Sequence, residues 1–401
     1  MVVVSGIGLV SPHGDDVNAV FAALMRGESA IREVFPELPR PAAAATVAFD
    51  ETRWFTRLQL AGVDRVSQFA VAAADLAVKD AGACNDVEAE RIGVYIGCGM
   101  GGASALEAAY LAGGRGGRVP PLTIPAFMPN APAAHVAMRH GARGPVLTYS
   151  VACASAAVAI AEAGKAILHG EVDVAIAGGS EALIVPGVIS AWQAMQTLAA
   201  FAPGQAARAC RPFAADRNGF ALGEGAAFLV LESAARARQR GARTYAELAG
   251  WGLSCDATHL TRPDAGGQQR AVRAALRQAG LAPADVGYCN AHGTATKVGD
   301  VIESDALCGV WGSGAEHLLV SSTKALHGHL LGATGALEAA VTVLALHHRQ
   351  VPPNAHCDQV DPACRLNLVL DAGQAAPGLR AAISNSFAFG GTNSVLLFKR
   401  S

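Results

Sequence analysis

Val146-Leu-Thr-Tyr-Ser-Val-Ala-Cys153-Ala-Ser-Ala-Ala-Val-Ala-Ile-Ala161 is the stretch on which the fold turns. A short β-prone run gives way at Cys153 to an Ala-rich run with the pattern of a helix. Working outward, strand-like runs fall at 2–5, 93–97, 146–151, 173–177, 227–231, 246–250, 286–290, 318–322, 381–385 and 394–398. Helical patterns fall between them at 16–26, 67–81, 154–168, 233–240, 268–279, 300–309 and 333–348. Such alternation predicts an α/β fold. Gly- and Pro-rich stretches at 113–121 and 141–145 read as loops, and no low-complexity linker divides the chain.

The composition suits buried sheets covered by closely packed helices: 51% hydrophobic, 16% charged and only 5% aromatic over 401 residues. A net charge of −2 supplies no field for nucleic acid or anionic lipid, so neither is an expected partner. Nine scattered cysteines without a CxxC pair argue against a zinc ribbon or a disulfide framework and for reduced thiols in the cytoplasm. The N-terminus reads as a strand rather than a leader. The uncharged stretch 182–207 is interrupted by Pro186, Gly187, Gln193, Gln196 and Pro203, and reads as a pocket wall rather than a membrane span.

The chain also echoes itself. In 1–240 a strand leads to Cys153 and a long Ala-rich helix; in 241–401 a strand leads through Lys324 and His329 to the helix from Ala333. Two similar halves, the first carrying the cysteine and the second the His/Lys/His loops, are expected to share a seam. A thiol between a strand and a helix N-terminus is expected to lean toward thiolate and to act as a nucleophile.

Three further segments are dense in chemistry: Asn290-Ala-His-Gly-Thr-Ala-Thr-Lys-Val-Gly-Asp300, Ser321-Ser-Thr-Lys-Ala-Leu-His-Gly-His329, and Asn385-Ser-Phe-Ala-Phe-Gly-Gly-Thr-Asn393. An acyl-holding thiol needs N–H donors for an oxyanion and imidazoles or cations for enolate charge, and these loops contain such groups.

Together these segments resemble the β-ketoacyl-[acyl carrier protein] synthases of the thiolase superfamily, in the elongating branch with a Cys-His-His triad. The resemblance runs over essentially the whole chain. It implies a thiolase fold, two duplicated halves in a five-layer αβαβα sandwich, as a homodimer or as a heterodimer with a second ketosynthase-like subunit. It implies decarboxylative condensation of an acyl-enzyme with malonyl-[acyl carrier protein]. No cofactor is implied beyond the carrier's phosphopantetheine, and no catalytic metal.

By the resemblance, Cys153 is the nucleophile, His292 and His329 the pair that stabilise the enolate, and Lys324 with Glu338 the buried network that tunes them. Asn290, Glu338, Ser384 and Asn393 are candidate ligands of a structural monovalent cation. Thr294 and Thr296 are implied to bind the phosphopantetheine, and the N–H groups of Cys153 and Phe389 to form the oxyanion hole. Met100, Trp192, Phe387 and Phe389 are implied to gate or line the acyl pocket.

The bland alternatives are specific. Gly97-Cys-Gly-Met-Gly-Gly102 formally fits a dinucleotide loop, but no acid follows at the needed distance. His327 forms a His-x-His pair with His329 and reads as loop structure. A papain-like protease lacks its signature here, and a degradative thiolase lacks the Lys-plus-two-His pattern. A non-catalytic chain-length factor would lack the cysteine. Two departures from the family remain: only Arg57 and Arg65 stand where housekeeping members carry a denser basic cluster for carrier docking, and Trp192 replaces a common Phe. Both point to a specialised polyketide or polyene pathway.

Overall fold

The computed structural model describes residues 1–400. Its main sheet contains β1 (Val2–Val10), β2 (Ile92–Gly97), β3 (Val146–Tyr149), β4 (Val174–Glu181), β5 (Gly225–Ser233) and β6 (Ala246–Cys255). It continues with β7 (Tyr288–Asn290), β8 (Leu319–Ser321), β9 (Asn367–Leu368), β10 (Ala381–Phe387) and β11 (Thr392–Lys399). Across the 11-stranded ladder the order is β9-β8-β7-β10-β11-β6-β1-β5-β4-β2-β3.

The order repeats. Ranked by position in the chain, β1 to β5 lie in the order 3-2-4-5-1, and so do β6, β7, β8, β10 and β11. Orientation repeats as well: β2 is parallel to β3 and β4 while β4–β5 and β5–β1 are antiparallel, and the later strands follow the same scheme. The two sets join where β1 meets β6 antiparallel through Val2–Leu248, Val3–Glu247 and Val4–Ala246.

Helices complete five layers. Helix α1 (Arg65–Ala81) covers β1, β4 and β5 on one outside, and α3 (Ala265–Ala279), beside α4 (Gly299–Trp311), covers β6 and β11 on the other. Between the sheets lie α2 (Ser155–Leu168) and α6 (Thr334–His348), each touching strands of both sets. This is the thiolase fold.

Sequence explains the division of labour. Helix α1 starts where the Asp64 side chain accepts the Val66 N–H and stops at left-handed Gly82, and it leaves one face to solvent. Helix α6 is buried without a break from Thr334 to Leu346, as a helix apolar on every side must be. Small residues set the spacing: a Cβ on Gly97 would stand 2.1 Å from the Ala156 nitrogen, and one on Gly335 2.9 Å from the Ala157 nitrogen. The first turn of α2 therefore rests directly on β2 and on α6.

The helices Ala103–Gly114, Ala131–His140 and Pro186–Ala194 have no counterpart in the sequence reading, being Gly-flanked or opened by proline. The last of these occupies the uncharged stretch 182–207. No helix is long and apolar enough to cross a membrane.

Candidate active site

Every chemistry-bearing loop leaves the carboxyl end of a strand: Cys153 after β3, His292 after β7, Lys324 and His329 after β8, Phe389 after β10. Cys153 sits on a sharp turn. Ala152 takes a left-handed φ of 49°, held by Ser155, whose Oγ accepts from the Val151 N–H at 2.9 Å and donates to the Ala152 carbonyl at 2.6 Å. Cys153 is 8% exposed, and the N–H groups of Phe389 and Cys153 itself point at its sulfur.

The sequence suggested a thiolate, and here the structure corrects it. Burial pushes the Cys153 thiol up to about 11, outweighing Lys324 and the two N–H donors. Helix α2 starts at Ser155, and the N–H groups of Ala154 and Ser155 are spent on the Val151 and Ala152 carbonyls. Alkylation of Cys153 by iodoacetamide should therefore climb about tenfold per pH unit from neutrality upward. A plateau reached near neutral pH would contradict this thiol.

His329 Nε2 lies 3.1 Å from the Cys153 sulfur. Its Nδ1 accepts the Leu331 N–H at 3.2 Å and faces the Thr334 hydroxyl at 2.9 Å. A nitrogen that accepts carries no proton, so the ring hydrogen belongs on Nε2 and points at the sulfur. His292 meets His329 edge to face at 5.6 Å between centroids. The sulfur and one nitrogen of each ring lie within 4.8 Å of one another. Burial first, then the charge of Lys324, drives both imidazoles well below their ordinary value, so both are neutral at pH 7. Glu303 fixes the His292 loop by accepting the N–H groups of His292 at 2.8 Å and Gly293 at 2.7 Å. His327 is spent on structure, its ring bonded to Gly328 O and Thr323 Oγ1.

Lys324, on the short helix α5 (Lys324–His327), puts Nζ 2.5 Å from Glu338 Oε1, and both side chains are fully buried. Burial raises the Glu338 carboxyl and Lys324 opposes that rise. Asn290 and Ser384 are register partners on β7 and β10, and Asn290 Nδ2 reaches the Glu338 carbonyl at 3.4 Å. Asn290 Oδ1, Glu338 Oε2 and Ser384 Oγ are buried oxygens without a partner, a donor set that fits an alkali cation. Asn393 does not join them. It donates to Asp256 Oδ1 at 2.6 Å, and Asn385, next to Ser384 on β10, is turned to Glu303 Oε1 at 3.0 Å.

Cys153, His292 and His329 open into a cavity of about 540 Å³. Trp192 lines it, edge-on to Phe220 at 5.5 Å and stacked on Phe389 at 6.2 Å, while Phe387 lies 6.1 Å from His292. Thr294 and Thr296 also line the cavity, half-buried, with their hydroxyls 3.1 Å apart. Met100 does not line this cavity. Its side chain is half exposed, because the loop turns its N–H groups inward to Glu181. Arg65 is also unavailable for docking: it is bound to Glu224 at 2.7 Å and to the Val47 carbonyl.

Glu181 escaped the sequence reading. This fully buried carboxylate accepts the N–H groups of Gly99 at 2.7 Å, Met100 at 3.3 Å and Gly332 at 3.0 Å, tying the β2 loop to the loop after His329. The glycine-rich loop thus wraps a side chain of its own protein. Burial pushes Glu181 from 4.5 up to about 7. The folded state holds that proton more tightly, so the contribution to stability is full below about 4.5 and is lost as pH rises through about 7. Glu181→Gln should flatten the fall of melting temperature across that window; an unchanged slope would show that Glu181 does not titrate there.

Comparison with known proteins agrees with this geometry. Residues 1–237 match the β-ketoacyl synthase N-terminal domain and residues 245–358 the C-terminal domain. The chain is 40% identical over 408 residues to a 3-oxoacyl-[acyl-carrier-protein] synthase 2 of Staphylococcus aureus, covering 100% of this chain and 98% of that one. It is 42% identical over 404 residues to nodulation protein E of Rhizobium meliloti, covering 100% and 99%. The ishigamide ketosynthase/chain length factor structure superposes with a TM-score of 0.92 at 32% identity, covering 100% and 99%. A buried thiol facing two neutral imidazoles, on a duplicated 3-2-4-5-1 sheet and with relatives matched end to end, places this chain in the β-ketoacyl synthase family.

Proposed function

We propose that the protein condenses an acyl group held on Cys153 with malonyl-[acyl carrier protein], releasing carbon dioxide and β-ketoacyl-[acyl carrier protein]. The contact that carries this reading is His329 Nε2 at 3.1 Å from the Cys153 sulfur, which also meets the N–H groups of Phe389 and Cys153. In the first stage Cys153 attacks an acyl-carrier thioester. The oxyanion sits on the N–H groups of Cys153 and Phe389, and the carrier leaves as its thiol, taking the proton Cys153 gave up.

In the second stage the malonyl thioester oxygen accepts hydrogen bonds from His292 and His329. The bond to the carboxylate breaks, carbon dioxide leaves, and the electron pair is held as an enolate. Neutral rings suit this role, since each has an N–H to donate. The enolate carbon then attacks the Cys153 thioester, the C–S bond breaks, and the sulfur takes a proton from solvent.

Thr294 and Thr296 bind the amides of the arm. Phe387 and Phe389 gate the seam between the two stages, and Lys324 keeps both imidazoles neutral. A monovalent cation held by Asn290, Glu338 and Ser384 would fix the strand ends behind His292. A second copy of the chain, or a ketosynthase-like subunit, covers edge strand β3, where Val146 and Leu147 are exposed.

Trp192, packed between Phe220 and Phe389, narrows the acyl end of the cavity to flat, short or unsaturated chains of a specialised pathway. Intact mass after incubation with a panel of acyl-carriers tests both levels. One acyl group on Cys153, consumed on adding malonyl-carrier, is expected, with unsaturated or short chains loaded fastest. No acylation by any carrier would overturn the function, and a preference for saturated medium chains would overturn the pathway.

A further inference from the structure

We infer that Glu181 is a positioning residue for His329: it holds the backbone at Leu331 in the conformation that aims an N–H at the ring, and so fixes which ring nitrogen carries the proton. The inference rests on the role of His329 proposed above. Glu181 acts at one remove, since its own hydrogen bonds go to Cys98, Gly99, Met100 and Gly332 rather than to the imidazole.

The backbone of His329 is fixed on both sides. Its N–H donates to the Ala221 carbonyl at 2.7 Å, and its carbonyl accepts the Gly223 N–H at 2.9 Å. These bonds set the Cα and leave the ring free to turn. The ring is set by Leu331, whose N–H reaches back to Nδ1 at 3.2 Å. Thr334, 2.9 Å from the same nitrogen, does not choose a tautomer, because a hydroxyl can donate or accept. A backbone N–H only donates. It alone selects the ring with a bare Nδ1 and a proton on Nε2, facing the Cys153 sulfur at 3.1 Å.

That N–H turns back because Leu331 takes a left-handed φ of 45°. A leucine keeps such a conformation only where its surroundings over-determine it. The hold is on the next residue. The Gly332 N–H donates to Glu181 Oε2 at 3.0 Å, and the same oxygen accepts the Gly99 N–H at 2.7 Å. Gly332 is seated without slack: a Cβ there would stand 2.4 Å from the Gly99 nitrogen and 2.6 Å from Glu181 Oε2. Glu181 ends β4 as the register partner of Gly225 on β5, so the clamp is anchored in the sheet. Four donors converge on its carboxyl: three N–H groups and the Cys98 thiol, 3.8 Å from Oε1. A side-chain amide of the same size would turn its own NH2 against them.

The test reads the ring directly. In protein carrying isotope-labelled histidine, nitrogen NMR of His329, assigned by its loss in His329→Asn, should show one form with a bare Nδ1 and a protonated Nε2. Glu181→Gln should give a mixture of both tautomers. Its kcat for malonyl-carrier decarboxylation should fall about tenfold with KM unchanged. Gly99→Ala, whose methyl would stand 2.6 Å from Glu181 Oε2, should displace the same carboxyl and give the same mixture, and it decides the matter if Glu181→Gln does not fold. One unchanged tautomer in either folded variant would overturn the inference even if the melting temperature fell, because a merely structural role leaves the ring signal alone. So would a rise in KM at unchanged kcat, which would assign Glu181 to substrate binding. The ring signal needs no turnover. If the variants mix the tautomers while the native protein neither takes up an acyl group nor decarboxylates malonyl-carrier, the proposed function fails and the positioning role stands.

Discussion

Cys153→Ala is expected to abolish condensation, with a fall of at least about 10⁴-fold, while malonyl-carrier continues to lose carbon dioxide. The two outcomes separate because the site divides its labour. Only the sulfur can hold the acyl chain, but the groups that meet the malonyl carbonyl are His292 and His329, which the substitution leaves in place. His329 loses its 3.1 Å contact with sulfur and keeps the Thr334 and Leu331 bonds that orient its ring. Product chain length read by mass spectrometry and carbon dioxide release read with labelled malonate distinguish the two activities. Chain extension persisting in the variant would remove Cys153 from the mechanism. Loss of decarboxylation with the fold intact would mean that the sulfur itself organises the malonyl group.

Lys324→Met is expected to cost about 3–5 kcal/mol of stability and to move the acid limb of decarboxylation to higher pH. The first effect follows from burial: Glu338 would remain in a fully buried site with its 2.5 Å partner removed. The second follows from sign. Lys324 is one of the charges holding His292 and His329 below their ordinary value. Without it each ring protonates at higher pH and loses its neutral form sooner on acidification. Lys324→Met/Glu338→Leu separates the two effects, because an apolar pair of similar volume should recover stability but not the pH profile. If the double variant restored the profile as well, Lys324 would act through structure alone.

Much of this site could be read from sequence because each part lies where a short β-run meets a glycine-rich loop. Cys153, His292, Lys324 and His329 could be picked out as strand-end residues, and the duplicated strand–helix order implied that the ends converge. What could not be read depends on distances through space. Glu181 is 151 residues from Gly332, and Arg65 is 159 from Glu224. Nothing local marks either pair. Asn290 and Asn393 are both asparagines near a strand end, and only register and pleat decide that the first reaches Glu338 and the second Asp256. Helix polarity is visible in a sequence and desolvation is not, so the sequence points to a thiolate where burial keeps a thiol. The outward turn of Met100 is equally hidden, because its loop's inward N–H groups answer to a carboxylate contributed from β4.

The thin middle layer has a consequence for how the chain tolerates mutation. Where α2 crosses α6, Gly335 and Ala157 already approach to the limit, and Gly97 leaves no room beneath Ala156. Truncation there has almost nothing to remove, so large-to-small substitution would pass over the region in silence. Enlargement is the informative direction: one added methyl would lever the two halves apart at the point where sulfur and imidazole must stay within a hydrogen bond. Random variation in this enzyme should therefore meet its steepest losses at its smallest side chains.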